Sequence, residues 1–386
     1  MHRSRLWILA LGTFALGTDV FVIAGILPAV ARGVHVSLSA TGFLVTVFAM
    51  TYAIGSPILA STMGSIPRKL LLTSALGSFS LANIMAAMTP TYRWLLIARV
   101  AAAAAAAIYT PTASAFAGSL VPTALRGRAL ATVMAGLTAA IVLGVPMGTI
   151  IGTLLSWRWT FGFVATLAGL ATVGIVIFLP ETAAPEPVRL MERIQVIRRP
   201  HVAKMLGLTI LWTMGAFTVY TYIAPFLHQS LGLSGPETSG ILLWWGLMAM
   251  VGNHLGGVAV DRWGAQRALT LGLGVVAFVL GTLHWTATTV FGAIGAIGLW
   301  GISGWILQVP QQHRLMKLVP TMPTAILAWN GSATYLGMAA GSALGGYLIH
   351  HALLTWLGYI GGGCEVLALA LQFLWTRTMP STMASS

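Results

Sequence analysis

Residues 143–152 read LGVPMGTIIG, and residues 336–345 read LGMAAGSALG. Both segments fit the pattern L-G-x-x-x-G-(T/S)-x-x-G, and they lie 193 residues apart, half the length of the 386-residue chain. Glycines four residues apart share one helix face, where another backbone can approach closely. The repeat therefore predicts two helical bundles of parallel topology. We expect the following residues to serve helix packing and conformational change: Gly144, Pro146, Gly148, Gly152, Gly337, Gly341 and Gly345.

The composition is that of an integral membrane protein. Hydrophobic residues make up 57% of the chain and charged residues only 7%, and the mean hydropathy is +0.88. Soluble domains carry roughly a quarter charged residues, so a cytosolic enzyme is excluded. The high apolar fraction also excludes a disordered chain. Cys364 is the single cysteine, which leaves neither an intramolecular disulfide nor a thiolate metal cluster.

Twelve apolar stretches are long enough to cross a bilayer, which takes about 20 residues in a helix. They lack the alternation of a membrane β-barrel, so we predict an all-α protein. The approximate spans are 6–31, 41–62, 70–89, 94–118, 129–154, 160–179, 204–227, 239–260, 268–286, 289–309, 324–349 and 354–374. Prolines within spans predict kinks at Pro57, Pro111, Pro146 and Pro225.

Basic residues concentrate on the cytoplasmic side of membrane proteins. With twelve spans, both termini lie on one side, and that side holds sixteen of the 20 lysines and arginines. The opposite loops hold Arg32, Arg93 and Arg158. Both termini are therefore predicted to be cytoplasmic.

The longest connection lies between the sixth and seventh spans and divides the chain near its middle. We predict a first six-helix bundle at residues 1–180, a cytoplasmic loop at 181–203 and a second six-helix bundle at 204–386. No loop is long enough for a separate catalytic domain.

Several motifs resemble those of one transporter family. Residues 257–267, GVAVDRWGAQR, closely resemble the loop signature G-x-L-A-D-R-x-G-R-(K/R) of the major facilitator superfamily. Residues 17–28, GTDVFVIAGILP, look like the first-span signature of its bacterial twelve-span drug/proton antiporters, and are most similar to arabinose-efflux and chloramphenicol-efflux permeases. Residues 143–152 resemble the antiporter motif of the fifth span, and Arg99 matches the arginine motif of the fourth.

The resemblance implies a major facilitator fold, with two six-helix bundles related by a pseudo-two-fold axis. It implies a monomeric, multi-pass protein of the bacterial inner membrane. The loop motif implies a cytoplasmic latch formed by Arg68, Lys69, Asp261, Arg262 and Arg267. The chain departs from the family pattern in the first-half loop, where Gly64 and Pro67 stand at the acidic and glycine positions. It also departs after Asp19, because many relatives have a second acid where this chain has Val20.

Only two acids fall inside predicted spans, Asp19 and Glu365, and charged groups within a membrane by default suggest function. Asp19 is expected roughly 20 Å from the cytoplasmic face, and Arg99 about 8 Å in from the opposite face, at 1.5 Å per residue. In a core of about 30 Å these depths nearly coincide. The sequence thus predicts a charge pair or a water-bridged pair, with a role in proton coupling. The alternatives are a purely structural Asp–Arg bridge and an Asp19 side chain bonded to the backbone at a helix irregularity.

Two other titratable residues have open roles. Glu365 either binds a proton in a cavity, forms a local hydrogen bond, or faces lipid as a protonated acid. His254 either titrates or is a hydrogen-bonded packing residue. The sequence alone does not decide between these alternatives for either residue.

The candidate substrate residues are aromatic and neutral polar side chains. Gly301, Trp305, Gln308 and Gln312 form a stripe at helical spacing, and Phe217 and Tyr220 share a face of the seventh span. We add Asn330 at the start of the eleventh span and Thr110, which shares a helix face with Arg99. Such a lining suits amphiphilic or lipophilic molecules. Aromatic residues at this spacing also serve ordinary helix packing.

These observations favour a secondary antiporter that exports a small organic compound, a drug or a sugar-like metabolite, against inward proton flow. A proton-coupled importer of a sugar or metabolite is the alternative. A membrane enzyme is less favoured, because the spans hold almost no catalytic set of carboxylates and histidines. The proton gradient would be the driving force and no cofactor is expected, since no nucleotide-binding motif and no metal-ligand spacing occurs. The scattered basic residues do not predict nucleic-acid binding.

Overall fold

The computed structural model describes residues 2–63, 65–122, 125–181, 195–320 and 322–378. Within these ranges the chain is helical and contains no strand. The α-helices are α1 His2–Gly33, α2 Leu38–Thr62, α3 Arg68–Met88, α4 Tyr92–Ser119, α5 Arg126–Ala139, α6 Val145–Ile151, α7 Trp157–Phe178, α8 Pro200–Tyr220, α9 Ile223–Leu231, α10 Gly235–Trp263, α11 Ala265–Thr286, α12 Val290–Ile306, α13 Gln308–Leu318, α14 Pro323–His350 and α15 Leu357–Thr378.

Ten stretches of the described chain are long and apolar enough to cross a membrane. One of them, 126–178, contains the fifth and sixth predicted spans in a single 53-residue helical run. The eleventh predicted span is the helix α14, whose glycines and serines keep it outside those ten. Helices satisfy their backbone groups internally, which is why apolar stretches of this length adopt them in a bilayer.

Short connections between helices are capped by local hydrogen bonds. Ser37 precedes α2 and accepts from the backbone N–H of Ala40 at 3.1 Å, and Thr289 does the same for Gly292 before α12. Gly232 ends α9 in the left-handed region, with φ at +69°, where a side chain would be strained. These caps allow tight turns between neighbouring membrane helices.

The chain divides into two compact units. Unit 1 comprises Met1–Leu190 with Ser234–Leu243, and unit 2 comprises Met191–Leu233 with Trp244–Ser386. The helix α10 thus begins in unit 1 and continues in unit 2. The predicted domain boundaries stay a prediction, and residues 182–194 of the predicted central loop lie outside the described residues.

Unit 1 is organised around α1, which packs against α5, α6 and α7, while α4 packs against α2 and α3. Two π-helical segments, Ala140–Gly144 and Gly152–Ser156, flank the short helix α6. Carbonyls of α6 also accept hydrogen bonds from side chains outside that helix. Two hydroxyls from other elements donate to carbonyls here: Thr160 Oγ1 to Gly148 O at 2.7 Å, and Ser239 Oγ to Pro146 O at 2.8 Å.

The structure places irregularities near two of the four predicted kinks. Pro146 directly follows the first π segment, and Pro225 follows a break between α8 and α9 at Thr221–Tyr222. Pro57 and Pro111, in contrast, lie inside α2 and α4, whose helical assignment continues past them.

Unit 2 is organised around α8, which packs most extensively against α14 and also against α15. The tenth predicted span is longer than expected and is divided into α12 and α13 at Leu307. Hydrogen bonds to α8 hold Gln311 inward: its Nε2 donates to Met205 O and to Thr209 Oγ1. Gln312, predicted to continue the stripe of Trp305 and Gln308, is exposed, whereas its neighbour Gln311 is fully buried.

Candidate functional site

The structure pairs Asp19 of α1 with Arg99 of α4. Arg99 Nη1 donates to both carboxylate oxygens of Asp19, at 2.7 Å to Oδ1 and 2.8 Å to Oδ2. Asp19 has no exposed surface, and Arg99 is 1% exposed. This is the one ion pair between side chains of the described residues. Buried pairs of this kind offset the cost of removing two charges from water.

Apolar groups enclose the guanidinium of Arg99. Its Cζ lies 4.4 Å from the ring centroid of Phe48 on α2 and 5.9 Å from that of Phe161 on α7. The distance to Phe48 is typical of a cation–π contact. Arg99 Nε is buried and has no hydrogen-bond partner within the described chain. The pair therefore sits in an environment of low polarity, where its Coulomb interaction is strong.

A run of alanines brings α4 close to its neighbours at this level. Residues 101–107 are all alanine, and most of them are buried. Small side chains let membrane helices approach, so that Arg99 at one end of the run can reach Asp19. The predicted coincidence of depth is thus realised as a contact. The role of the pair in proton coupling stays a prediction.

Thr110 lies three turns beyond Arg99 on α4 and is half-buried. Its hydroxyl donates to Ala106 O at 3.2 Å and lies within hydrogen-bonding reach of the hydroxyl of Tyr52 on α2. Tyr52 was not among the predicted residues. Its position one turn after Phe48 is the signal that could have identified it, because the two side chains share a face of α2.

An aromatic cluster in unit 2 unites three predicted residues. Trp245 of α10 lies at its centre, with ring centroids 4.7 Å from Tyr220 and 6.4 Å from Trp305. Phe217 contacts Tyr220 at 5.6 Å, and Trp300 contacts Trp245 at 5.8 Å. Sequence reasoning missed Trp245 and Trp300, because nothing local in α10 or α12 indicates which face turns towards α8.

Trp245 also carries an unsatisfied polar group. Its Nε1 is buried and lacks a hydrogen-bond partner among the described residues. Buried indole N–H groups usually find a partner. Phe217 and Trp305 are half-buried members of the cluster, and the predicted residue Gln308 is also half-buried. The cluster is thus mainly packed apolar surface around one buried indole N–H.

Asn330 lies apart from this cluster, in a buried polar network. Thr209 Oγ1 donates to Asn330 Oδ1 at 2.9 Å, and Gln311 Nε2 donates to Thr209 Oγ1 at 2.9 Å and to Met205 O at 2.7 Å. The network joins α8, α13 and α14. Its hydrogen bonds account for Asn330 as a packing residue of unit 2, and its assignment to a substrate cavity stays a prediction.

Both glycine motifs form close helix contacts. In unit 1 the glycines of residues 144–152 face α1: a Cβ at Gly148 would lie 2.7 Å from Val22 Cγ2, and one at Gly152 would lie 2.6 Å from Ile26 Cγ2. In unit 2 the glycines of residues 337–345 face α8, and a Cβ at Gly341 would overlap the carbonyl oxygen of Met214. Each glycine triplet thus packs on the first long helix of its own unit.

The predicted cytoplasmic latch is only partly assembled in the structure. Arg68 Nη1 donates to Ala115 O in the last part of α4 at 3.3 Å. Lys69 is half-buried, and Asp261, Arg262 and Arg267 are exposed, with no ion pair to another described residue. The latch stays a prediction.

The two residues with open roles are placed differently. His254 is exposed on α10 and has no hydrogen bond to another described side chain. Glu365 is 1% exposed, so it does not face lipid. Neither of its carboxylate oxygens has a hydrogen-bond partner in the described part of the chain, so no local bond is seen.

The chain is similar to known transporters. A family model described as Major Facilitator Superfamily matches residues 9–325. The inner membrane transport protein YdhP of Escherichia coli (strain K12) is 31% identical over 378 residues, covering 97% of this chain and 96% of YdhP. A probable sugar efflux transporter of Helicobacter pylori is 28% identical, covering 95% of this chain and 93% of that protein.

Structural comparison gives the same fold. A crystal structure of a D-xylose-proton symporter matches with a TM-score of 0.79 and 18% sequence identity, covering 99% of both chains. Identity this low concerns the fold alone, and it confirms the predicted all-α membrane architecture. The family match extends over most of the sequence, from the first span into the eleventh. This multi-pass membrane protein therefore belongs to the major facilitator superfamily of transporters.

Proposed function

We propose that the chain is a proton-coupled antiporter of the bacterial inner membrane that exports small amphiphilic organic compounds by alternating access. The observation that carries this proposal is the Asp19–Arg99 pair, a carboxylate and a guanidinium enclosed by α1, α2, α4 and α7. Acids within membrane helices are common in proton relays. Asp19 is the acid of unit 1 whose charge is balanced inside the bundle.

The pair supplies a physical means of coupling. Protonation of Asp19 changes the pair from neutral to a net positive charge, which the guanidinium of Arg99 carries. A lone buried charge is costly, and this cost favours a rearrangement that hydrates Arg99 or gives it another partner. Proton binding thus disfavours the conformation in which Asp19 and Arg99 are paired. This is the linkage between a ligand and a conformation that coupling requires.

In the proposed cycle Asp19 is ionised and paired while substrate loads from the cytoplasm. It accepts a proton from the outer side as substrate leaves, and returns the proton to the cytoplasm. The aromatic cluster around Trp245 supports an amphiphilic substrate, because its half-buried members Phe217 and Trp305 offer flat apolar surfaces. The Helicobacter relative, described as a probable sugar efflux transporter, supports the inclusion of sugars among the candidates.

The test is substrate-triggered proton movement in everted membrane vesicles, with a panel of amphiphilic drugs and of sugars. Wild type is compared with Asp19→Asn and with Glu181→Gln, a control that removes an exposed acid outside the spans. We expect a panel compound to collapse the pH gradient with wild type and with Glu181→Gln, but not with Asp19→Asn. An equal response of Asp19→Asn would remove Asp19 from the coupling site.

The same vesicles distinguish export from import. Accumulation of the compound inside everted vesicles, driven by an acidic interior, supports export. Accumulation in whole cells, driven by an acidic exterior, would replace the antiporter with the importer of a sugar or metabolite. Orientation of the termini is checked by cysteine labelling at each end of the chain, where access from the cytoplasmic side alone is expected.

A further inference from the structure

Glu365 of α15 is a buried acid to which the proposed cycle gives no role. Its side chain is 1% exposed, and both oxygens lack a hydrogen-bond partner among the described residues. It faces α8, where Gly215 leaves room for it: a Cβ at Gly215 would lie 3.0 Å from Glu365 Oε1. A buried polar group without a partner is rare and calls for a physical explanation.

The helices around Glu365 are in direct backbone contact. A Cβ at Gly361 would lie 2.9 Å from Gly215 O of α8, and a Cβ at Gly362 would lie 2.8 Å from Gly281 N of α11. Glycines on α15 thus let it pack tightly between α8 and α11, the two helices that it contacts most. Such close packing excludes bulk solvent from the acid.

No cationic side chain compensates Glu365 within the described chain. The ionisable residues of α8 are His201 and Lys204 near its start and Tyr220 at its end, and Tyr220 belongs to the aromatic cluster around Trp245. On α11 the basic residues are Arg267 near its start and His284, whose ring lies 6.1 Å from that of Tyr359. On α15 itself, Cys364 is the adjacent titratable group. Arg314 of α13 also reaches α15, where it donates to Gln372 Oε1 at 2.8 Å, two turns beyond Glu365.

These contacts determine the charge state. An ionised carboxylate needs a partner or water, and removing it from water without either is far more costly than burying the neutral acid. We propose that Glu365 is a second proton-binding site, in unit 2, which holds its proton while α8 and α15 are in contact and exchanges it when they separate.

The exchange step follows from the closed packing. When α8 and α15 separate, water reaches the acid, the O–H bond of Glu365 breaks, and a water molecule accepts the proton. The carboxylate that remains is stabilised by hydration until it is protonated again and the helices close. If the proposed antiport is correct, on which this consequence rests, a cycle that opens this contact moves a second proton besides that of Asp19.

Infrared difference spectroscopy on the reconstituted full chain at alkaline pH tests the charge state without requiring transport. Subtraction of Glu365→Gln from wild type is expected to leave the carbonyl stretching band of a protonated carboxylic acid. Carboxylate bands in its place would overturn the proposal. Because no substrate is needed, failure of this test is distinct from failure of the transport assay.

Deuterium exchange of the same band tests the opening of the contact. Gly215→Ala places a methyl group against Glu365 Oε1 and Gly361 O, and it should speed exchange about tenfold, which corresponds to about 1.4 kcal/mol. The matched control is Gly207→Ala on the same helix, where a Cβ meets nothing within 4 Å. Equal rates in wild type and both variants would contradict exchange through separation of α8 and α15.

A gentler variant covers the case in which Gly215→Ala does not fold. Val219 packs on α15, with Cγ2 2.9 Å from a Cβ placed at Gly361. Val219→Ala removes that contact without introducing an overlap, so it should also speed exchange relative to Gly207→Ala. An unchanged rate would again overturn the exchange step.

Discussion

Asp19 and Glu365 are both fully buried acids, yet the two units surround them differently. In unit 1, Arg99 donates to both oxygens of Asp19, and aromatic rings cover the guanidinium. In unit 2, Glu365 lies between glycine-rich helices without a cation or a hydrogen-bond donor among the described residues. The difference indicates that burial alone does not determine the protonation state of an acid. A cationic partner stabilises the ionised form, and the absence of a partner favours the neutral acid.

Removal of Arg99 should have the largest effect, because it leaves the buried carboxylate of Asp19 without the cation that balances its charge. Arg99→Gln is expected to destabilise the protein by about 3 kcal/mol, since it leaves a buried carboxylate without its cation. The double variant Asp19→Asn/Arg99→Gln should recover part of that loss. Urea or thermal unfolding in detergent measures both values.

Arg158→Gln is the matched control for this comparison. Arg158 stacks on Trp157 and donates to Thr89 O at 2.9 Å, outside any ion pair. We expect its loss to cost about 1 kcal/mol or less. A double variant as unstable as Arg99→Gln alone would show that the pair does not account for the stability of this site.

The two glycine motifs, residues 144–152 and 337–345, extend the comparison of the two units, because their glycines contact different kinds of group. In unit 1, Gly148 faces the side chain of Val22, which can shift; in unit 2, Gly341 faces the backbone of Met214, next to Gly215. Gly341→Ala should therefore cost about 2–3 kcal/mol and Gly148→Ala about 1 kcal/mol, as overpacked sites do. Unfolding measurements on both decide this order.

Gly331→Ala controls for glycine replacement in α14 itself, because a Cβ there meets nothing within 4 Å. It should be neutral or slightly stabilising, since alanine favours helix more than glycine does. If it destabilises as much as Gly341→Ala, close backbone contact is not the cause.

A smaller effect is expected at the hydrogen bonds that serve the irregular helix of unit 1. Thr160→Val removes the hydroxyl that donates to Gly148 O, a carbonyl that also accepts from the backbone N–H of Gly152, and this should cost about 1 kcal/mol. Thr166→Val is the control, because Thr166 bonds Gly162 O of its own helix at an exposed position. Equal unfolding midpoints for the two variants would argue against a specific role for Thr160.

Glu365→Gln should have the smallest effect of all. An amide has nearly the shape of a neutral acid, so the free energy of unfolding should stay within about 0.5 kcal/mol of wild type. Asp19→Asn, which weakens a charged hydrogen bond, should cost about 2 kcal/mol. If the two variants lose similar amounts of unfolding free energy, Asp19 and Glu365 do not differ as a paired and a neutral acid.

The helices and the close contacts at the two glycine motifs could be predicted from the sequence. A bilayer requires continuous apolar helices, and the glycine motif occurs in both halves of the chain. Depth along the long helices α1 and α4 indicated that Asp19 and Arg99 can meet directly or through water, and the structure shows the direct contact. The eleventh span was predicted as an apolar stretch and carries the second glycine motif; the structure forms it as α14, which is not among the ten stretches of the described chain that are long and apolar enough to cross a membrane.

The remaining features depend on helix faces, which an almost uniformly apolar sequence does not reveal. Gln312 was predicted on the substrate stripe, but it is exposed, and its neighbour Gln311 is the one buried by hydrogen bonds to α8. Trp245 was missed for the same reason, and the burial of Glu365 against Gly215 required knowledge of which side of α15 meets α8. In soluble proteins the contrast between polar and apolar faces supplies this information.

The π segments on either side of α6 have a consequence for how the length of this chain can vary in evolution. A π turn is an α-helical turn that has accommodated one inserted residue. Loss of one residue from Ala140–Gly144 would therefore restore an ordinary helical turn and leave the flanking residues in phase. Elsewhere in a span the same deletion would rotate every later side chain by about 100°. We expect homologous chains to tolerate single-residue gaps in the two π segments, because the glycines of residues 144–152 would still face α1.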